Sequence, residues 1–463
     1  MGSVNGRGQW SGRLGFILAA AGSAIGLGNI WRFPYSVAEG GGGLFVLMYL
    51  IFVLAIGLPV LLAELSLGRA AQRNPVGAFK ALLPGKFWPY VGGLGVVTGA
   101  GILAFYSVIA GWTVGYLGKA VSGELSQAQD GDTSGAIFTE FVADPFWPIL
   151  LSGLFLVLTL IVVRRGVSKG IERAATLLMP ALFVLLILLA IRAVTLPGGI
   201  DGLTYLFTPD WSKLSLNVVM GALGQALFSL SLGMGAMITF GSYMSRRENL
   251  WQSGIYVAIA DTGIAILAGL IIFPALFFAN ADPSAGPGLV FVILPTIFNQ
   301  MPLGTVFATA FFSLLAIAAL TSTVSLLEVV VAYFVDEKGW TRNRAATFVS
   351  AICFALAVPS ALAFGGVSAL SGGEDGILPF GLDFLTLNNN IWGNYSLSLG
   401  AFLICVAVGW VWGVPKLLAA LEEGGDRKFP MPGGTVVGFL IKVICPLAVL
   451  TVLIFIIVTG QYF

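Results

Sequence analysis

The residues of this chain that could do chemistry are oxygen donors set among glycines. The stretch Ala19-Ala-Ala-Gly-Ser-Ala-Ile-Gly-Leu-Gly-Asn-Ile-Trp-Arg-Phe-Pro-Tyr35 places Gly22, Gly26 and Gly28 close together, flanked by Ser23 and Asn29, with Arg32 and Pro34 just beyond. Each glycine costs about 1 kcal/mol relative to alanine in a helix interior, so the cluster invites a break. In hydrocarbon, N–H and C=O groups freed by a break must be satisfied by protein, an ion or a ligand. Freed carbonyls can hold a cation, and half-helix N-termini offer N–H groups to a carboxylate. Close packing of small residues between helices is the other reading of such glycines. Asn29 and Arg32 beside them favour a site.

A second stretch, Gly224-Gln-Ala-Leu-Phe-Ser-Leu-Ser-Leu-Gly-Met-Gly-Ala236, repeats the anomaly, with hydroxyls at Ser229 and Ser231. Asp261 is a single carboxylate within the apolar run Ala258–Ala265, and it needs a cation or a proton. Leu320-Thr-Ser-Thr323 sets three hydroxyls in another apolar run, where they either bind an ion or bond carbonyls one turn back. The chain has no histidine, which excludes histidine-based acid–base chemistry and metal ligation. Cys353, Cys405 and Cys445 lie far apart in apolar runs and read as inert core residues. A membrane-embedded enzyme would lack its usual equipment here, and no ring of repeated polar residues suggests a channel.

The elements that must position these groups are membrane helices. The chain is 57% hydrophobic with a mean hydropathy of +0.95, and only 10% of it is charged. The net charge of +1 argues against a nucleic-acid partner. Eleven segments are long enough to span, near 14–37, 44–70, 89–118, 147–164, 174–195, 216–243, 252–280, 303–335, 344–366, 390–412 and 434–460. With the N-terminus inside, 18 of the 23 lysines and arginines face the cytoplasm, as the positive-inside rule requires. The C-terminus then faces outward, in a multi-pass protein of the cell inner (plasma) membrane. The expected fold is a single all-α transmembrane domain over 1–463, with halves at about 10–195 and 214–413 and a last helix at about 434–460. The first and sixth spans are interrupted at corresponding places. Because five is odd, the second half runs inverted relative to the first, and such paired interruptions point to a transporter's binding site.

These residues resemble the neurotransmitter:sodium symporters, and most nearly the bacterial amino acid transporters among them. The resemblance covers nearly the whole chain. It rests on Arg13-Leu-Gly-Phe, Gly26-Leu-Gly-Asn-Ile-Trp-Arg-Phe-Pro34, Glu39-Gly-Gly-Gly-Gly43, Gly170-Ile-Glu-Arg173, Phe228-Ser-Leu-Ser-Leu-Gly-Met-Gly235 and Leu320-Thr-Ser322. It implies a leucine-transporter-like fold with a 5+5 inverted repeat and broken helices 1 and 6. The family's twelfth helix has no counterpart here.

The resemblance further implies two sodium ions. One would be held by the Ala24 carbonyl, Asn29, Ser229, Asp261 and the substrate carboxylate. The other would be held by carbonyls of Gly22, Ile25 and Ala318 with the hydroxyls of Thr321 and Ser322. All-oxygen shells suit such a hard cation. The substrate carboxylate would meet Gly26, Leu27, Gly28 and the Tyr106 hydroxyl. Its ammonium group would meet Ser23, Ala24, Phe228 and Ser231. Ile102, Phe228, Met234 and Leu326 would line the side-chain cavity, with Ser229 and Ser322 alongside. No acid sits among them, so a basic substrate would bury an unpaired charge. Chloride-dependent relatives add a serine one turn after the position of Asp261. Here that position is Ala265, although Tyr49 and Gln225 match other parts of the chloride site, so chloride independence is expected. Arg7 is expected to pair with Asp336 as an inner gate, and Arg32 with Asp383 as an outer gate displaced from the family's position at Thr386 or the following asparagines.

The expected function is sodium-coupled import of neutral hydrophobic or aromatic L-amino acids by alternating access, not catalysis. A proton-coupled transporter of the same fold, with the proton on Asp261, is the alternative. The expected partners are the amino acid and membrane lipid, with the chain a monomer or weak dimer.

Overall fold

A computed structural model of the chain describes residues 8–281, 286–373, 376–424 and 433–460. Among the described residues the architecture is helical throughout, and the spans follow from long apolar runs. We number them α1 (Arg13–Ala24), α2 (Gly28–Glu39), α3 (Gly43–Ala71), α4 (Trp88–Val121), α5 (Trp147–Arg164), α6 (Val167–Val194), α7 (Leu216–Ser229), α8 (Ala236–Gly241), α9 (Leu250–Phe278), α10 (Gly304–Lys338), α11 (Arg342–Ala361), α12 (Phe384–Glu422) and α13 (Gly434–Thr459). Nine of these are long and apolar enough to cross a membrane singly, and the bent pair α1–α2 makes a tenth. The expected eleven is reached only if α7 and α8 count together as one crossing, because neither is long enough alone.

Burial sorts the spans into an inner and an outer set. The most apolar stretches of α4 and α10 are 78% and 83% buried, against 33% in α5 and α6. The two buried helices pack against each other, with α1 also against α10. Small residues permit this approach: Gly95 lies beside the backbone of Met234, and Gly99 beside that of Leu326. The outer helices carry their leucines, isoleucines and valines on exposed faces, as a hydrocarbon environment favours.

Both interruptions fall where the glycines predict. α1 closes at Ala24, Ile25 is extended at φ −72°, ψ 110°, and α2 resumes at Gly28 with a 51° change of direction. No side chain fits at Gly26, since a Cβ there would lie 2.8 Å from the Tyr106 hydroxyl. α7 closes at Ser229, and the chain then passes through positive φ at Ser231 (55°), Gly233 (84°) and Gly235 (75°) before α8. Left-handed backbone of this kind favours glycine and destroys helical continuity.

Between α9 and α10, Leu289, Val290 and Phe291 are buried, and the Phe291 ring meets Trp31, Trp112, Tyr116, Phe138 and Phe312. This stretch packs against α2, α4 and α10. The acidic connection after α4 contains a further helix, Gly131–Ala143, whose N-cap Asp130 accepts from the Thr133 N–H at 2.8 Å.

Candidate ion and substrate site

Asp261 stands on α9, wholly buried, facing the gap between the two breaks. Its Oδ1 accepts from the Asn29 amide at 2.8 Å, and its Oδ2 accepts from the Ser229 hydroxyl at 2.7 Å. The Asn29 amide also donates to Ser229 Oγ at 3.0 Å, while its oxygen accepts from the Gly26 N–H at 3.1 Å. The Tyr49 hydroxyl lies 3.2 Å from Ser229 Oγ and 3.4 Å from Asp261 Oδ2. The Asp261 carboxylate and the Ser229 and Tyr49 hydroxyls thus meet between two helix ends, with the Asn29 amide bridging them to the Gly26 N–H of the first break. The set is all oxygen and carries a single negative charge. That suits a hard monovalent cation better than a soft or multiply charged one. Among the described residues no group of three or more His, Cys, Asp or Glu side chains could hold a metal ion.

A second oxygen cluster forms where α10 passes the first break. Thr321 Oγ1 lies 2.9 Å from the Ala318 carbonyl and 3.5 Å from that of Ile25, and Gly22 packs against the Thr321 side chain. Ser322 Oγ lies 3.2 Å from the Ile25 carbonyl and 3.3 Å from that of Ser23. Thr321 therefore serves both readings at once, bonding one turn back along its own helix and facing the break. The Ser23 carbonyl is an addition to the expected set. It accepts from both Ser322 and Ser231, the latter at 3.0 Å, so it ties α10 and the second break to the first. Ala24, its neighbour, is 5% exposed at the end of α1.

The Tyr106 hydroxyl accepts from the Leu27 N–H at 2.9 Å, so it stands at the mouth of the first break. A cavity of about 770 Å³ runs past Leu27, Gly28, Tyr106 and Phe228 to Trp112, Phe291 and Phe364. Ile102, Met234 and Leu326 are buried and are not among its lining residues. Gln225 donates to the Gly28 carbonyl at 2.9 Å, which satisfies one backbone oxygen freed by the break.

The gate residues are distributed less simply. Arg7 lies outside the described residues. Asp336 accepts from the Asn74 backbone N–H at 2.9 Å and from its side chain at 3.2 Å. Trp10 donates to the Phe240 carbonyl at 3.0 Å. Tyr243 donates to Glu328 at 2.6 Å, and Arg342 is ion-paired with Glu328. Arg32 and Asp383 are not brought together. Asp383 caps the first turn of α12, accepting from the Thr386 N–H at 2.9 Å and its hydroxyl at 2.6 Å. Arg32 is 6% exposed, and its guanidinium lies over the Phe228 ring, 4.3 Å from the centroid. Among the described residues it forms no ion pair.

Two buried acids, Glu64 and Glu328, escaped the sequence reading. Glu64 on α3 is fully buried and accepts from the Gly233 N–H at 2.7 Å, which fixes the second break from outside the site. The available signal was its position as the only acid in the apolar run Leu58–Leu67.

The chain is similar along nearly its whole length to several known proteins. The crystal structure of MhsT in complex with L-phenylalanine superposes with a TM-score of 0.87 at 45% identity, covering 97% of this chain and 99% of that one. The uncharacterized sodium-dependent transporter YhdH of Bacillus subtilis (strain 168) is 36% identical over 418 residues, 90% of this chain and 91% of its own. An uncharacterized sodium-dependent transporter of Haemophilus influenzae is 36% identical over 416 residues, 88% and 89% respectively. Residues 7–135 and 139–462 match the sodium:neurotransmitter symporter family, and with the two broken helices and their oxygen clusters this chain belongs to that family.

Proposed function

We propose that this symporter couples inward sodium movement to uptake of a neutral hydrophobic or aromatic L-amino acid, without a chloride requirement. The observation that carries the reading is the meeting of Asn29, Ser229 and Asp261 at the two breaks, beside the Tyr106–Leu27 contact. A sodium ion held by these oxygens presents its charge to the substrate carboxylate, so each ligand improves the other's binding. The second cluster, built on Ser23, Ile25, Ala318, Thr321 and Ser322, takes a second sodium ion. Joint occupancy changes the relative stability of outward- and inward-facing states, which is the coupling step.

Apolar residues support the substrate class. Ile102, Phe228, Met234 and Leu326 contribute no charge to neutralise a basic or acidic side chain. The L-phenylalanine in the MhsT complex is consistent with the same class here. Chloride independence follows from Asp261, whose carboxylate already supplies the negative charge beside Tyr49 and Ser229. The protein sits in the cell's inner membrane with its N-terminus cytoplasmic, and its halves at about 10–195 and 214–413 rock against each other. Proton coupling through Asp261 is the competing reading, since a lone buried acid is satisfied by a proton as well as by an ion. Binding of labelled phenylalanine in sodium against potassium separates them. Equal affinity in the two salts refutes sodium coupling.

A further inference from the structure

Two motifs of the sequence have no part in either oxygen cluster: Arg13-Leu-Gly-Phe16 at the start of α1, and Gly170-Ile-Glu-Arg173 at the start of α6. They meet. Glu172 is 6% exposed, and its Oε2 accepts from the Ser11 backbone N–H at 3.0 Å while its Oε1 accepts from the Ser11 hydroxyl. Gly15 lies directly against that carboxylate, and any Cβ there would overlap it. Gly12, the residue that caps α1, has no side chain to satisfy the free N–H groups of the helix. The Glu172 carboxylate instead holds Ser11, the residue just before that cap, and stands at the end of α1 where the helix dipole favours negative charge.

The foot of α1 is otherwise held by Trp10, which bonds the Phe240 and Tyr243 carbonyls, and by the contact of Gly8 with Val167. We propose that Glu172 is a positioning residue forming an inner latch, which holds the cytoplasmic half of α1 against α6 and must part before ions and substrate can leave inward. The proposal rests on the alternating-access reading above. α1 carries Gly22 to Ala24 of both oxygen clusters, so opening the site inward requires its foot to separate from α6. A bond from a carboxylate to a backbone N–H is among the stronger polar ties, yet it breaks without unfolding either helix. Gly15 gives the latch its fit, and its glycine is required by close approach rather than by backbone angle.

The test uses a reporter cysteine at Ala175, which is 4% exposed on α6 and lines a small void shared with Ala19 and Thr321. The native cysteines are buried and give a low background. In Ala175→Cys protein reconstituted in vesicles, a charged thiosulfonate reagent reads out separation of α1 from α6. Adding Glu172→Ala or Gly15→Ala should speed labelling about tenfold, and Glu172→Gln, which keeps an acceptor for Ser11, by about threefold. Saturating sodium with phenylalanine should restore slow labelling in all three, because ligands favouring the closed state repopulate it. Labelling at the parent rate in both alanine variants overturns the latch. Fast labelling that ligands do not suppress also overturns it, since that marks damage to α1 rather than a shifted equilibrium. The parent's own response to sodium, measured alongside, tests the coupling reading separately.

Discussion

Replacing Asn29 by alanine removes one side chain that touches three parts of the ion cluster. Its amide donates to Asp261 Oδ1 at 2.8 Å and to Ser229 Oγ at 3.0 Å, and its oxygen accepts from the Gly26 N–H at 3.1 Å. The bond to Asp261 is the costly one, because it is made to a fully buried carboxyl group. A hydrogen bond to a charged group contributes about 1.5–3 kcal/mol. The truncation also leaves the Gly26 N–H at the break without its acceptor. Taking about 2 kcal/mol for the pair of losses, sodium binding should weaken by roughly 30-fold, at 1.4 kcal/mol per factor of ten. Binding linkage is reciprocal, so substrate affinity at limiting sodium falls by the same coupling factor. The assay is a sodium titration of labelled phenylalanine binding to purified Asn29→Ala and parent protein, at constant ionic strength with potassium. The reasoning is refuted if the sodium midpoint stays within about threefold of the parent, a difference below 1 kcal/mol. It is equally refuted if substrate affinity falls while no concentration of sodium recovers any of it.

Three other outcomes follow from the same geometry. Met234 stands between the paired glycines of the second break, so Met234→Phe should shift preference from aromatic toward leucine-sized substrates by about 1–3 kcal/mol, read by competition across a size series. An unchanged ranking would remove Met234 as the size filter. Replacing chloride by gluconate should leave uptake by the parent intact, whereas Asp261→Asn should lower uptake or make it depend on an added anion. A chloride requirement in the parent would contradict the role given to Asp261. Glu64→Leu should destabilise the protein by about 1–3 kcal/mol, because the Gly233 N–H loses its buried acceptor, while Glu64→Gln keeps that acceptor. Thermal unfolding in detergent checks this, and equal losses for both variants would sink it.

Asp383 shows how a local signal can mislead. It is the acid nearest the expected outer gate in sequence, and Arg32 is a cation that needs a partner. Yet Asp383 precedes a helix with Thr386 three residues on, which is an N-cap spacing, and the cap bonds are made within the chain's own turn. Arg32 instead turns onto the Phe228 ring. Glu64 makes the reverse case, since an acid buried without a nearby cation in sequence finds a backbone N–H that only the second break exposes.

What the sequence determined by itself is whatever depends on neighbours along the chain. The apolar runs set the spans, and glycine clusters at 22–28 and 233–235 set the breaks. Basic residues at the ends of spans set the expected orientation. Asp261, Thr321 and Ser322 were legible as site residues because a polar group in hydrocarbon needs a reason to be there. What only the tertiary structure decided is which of these groups share a place. Ser23 lends its carbonyl to hydroxyls from both Ser231 and Ser322, Gly26 is bare because Tyr106 and Ser322 crowd it, and Glu172 holds Ser11 just ahead of a helix that begins at Arg13. The physical reason is the range of the forces concerned. Helix formation and breaking are settled by bonds a few residues apart. The pairing of freed polar groups is settled by packing among helices far apart in the chain, where one glycine or one carbonyl selects the partner.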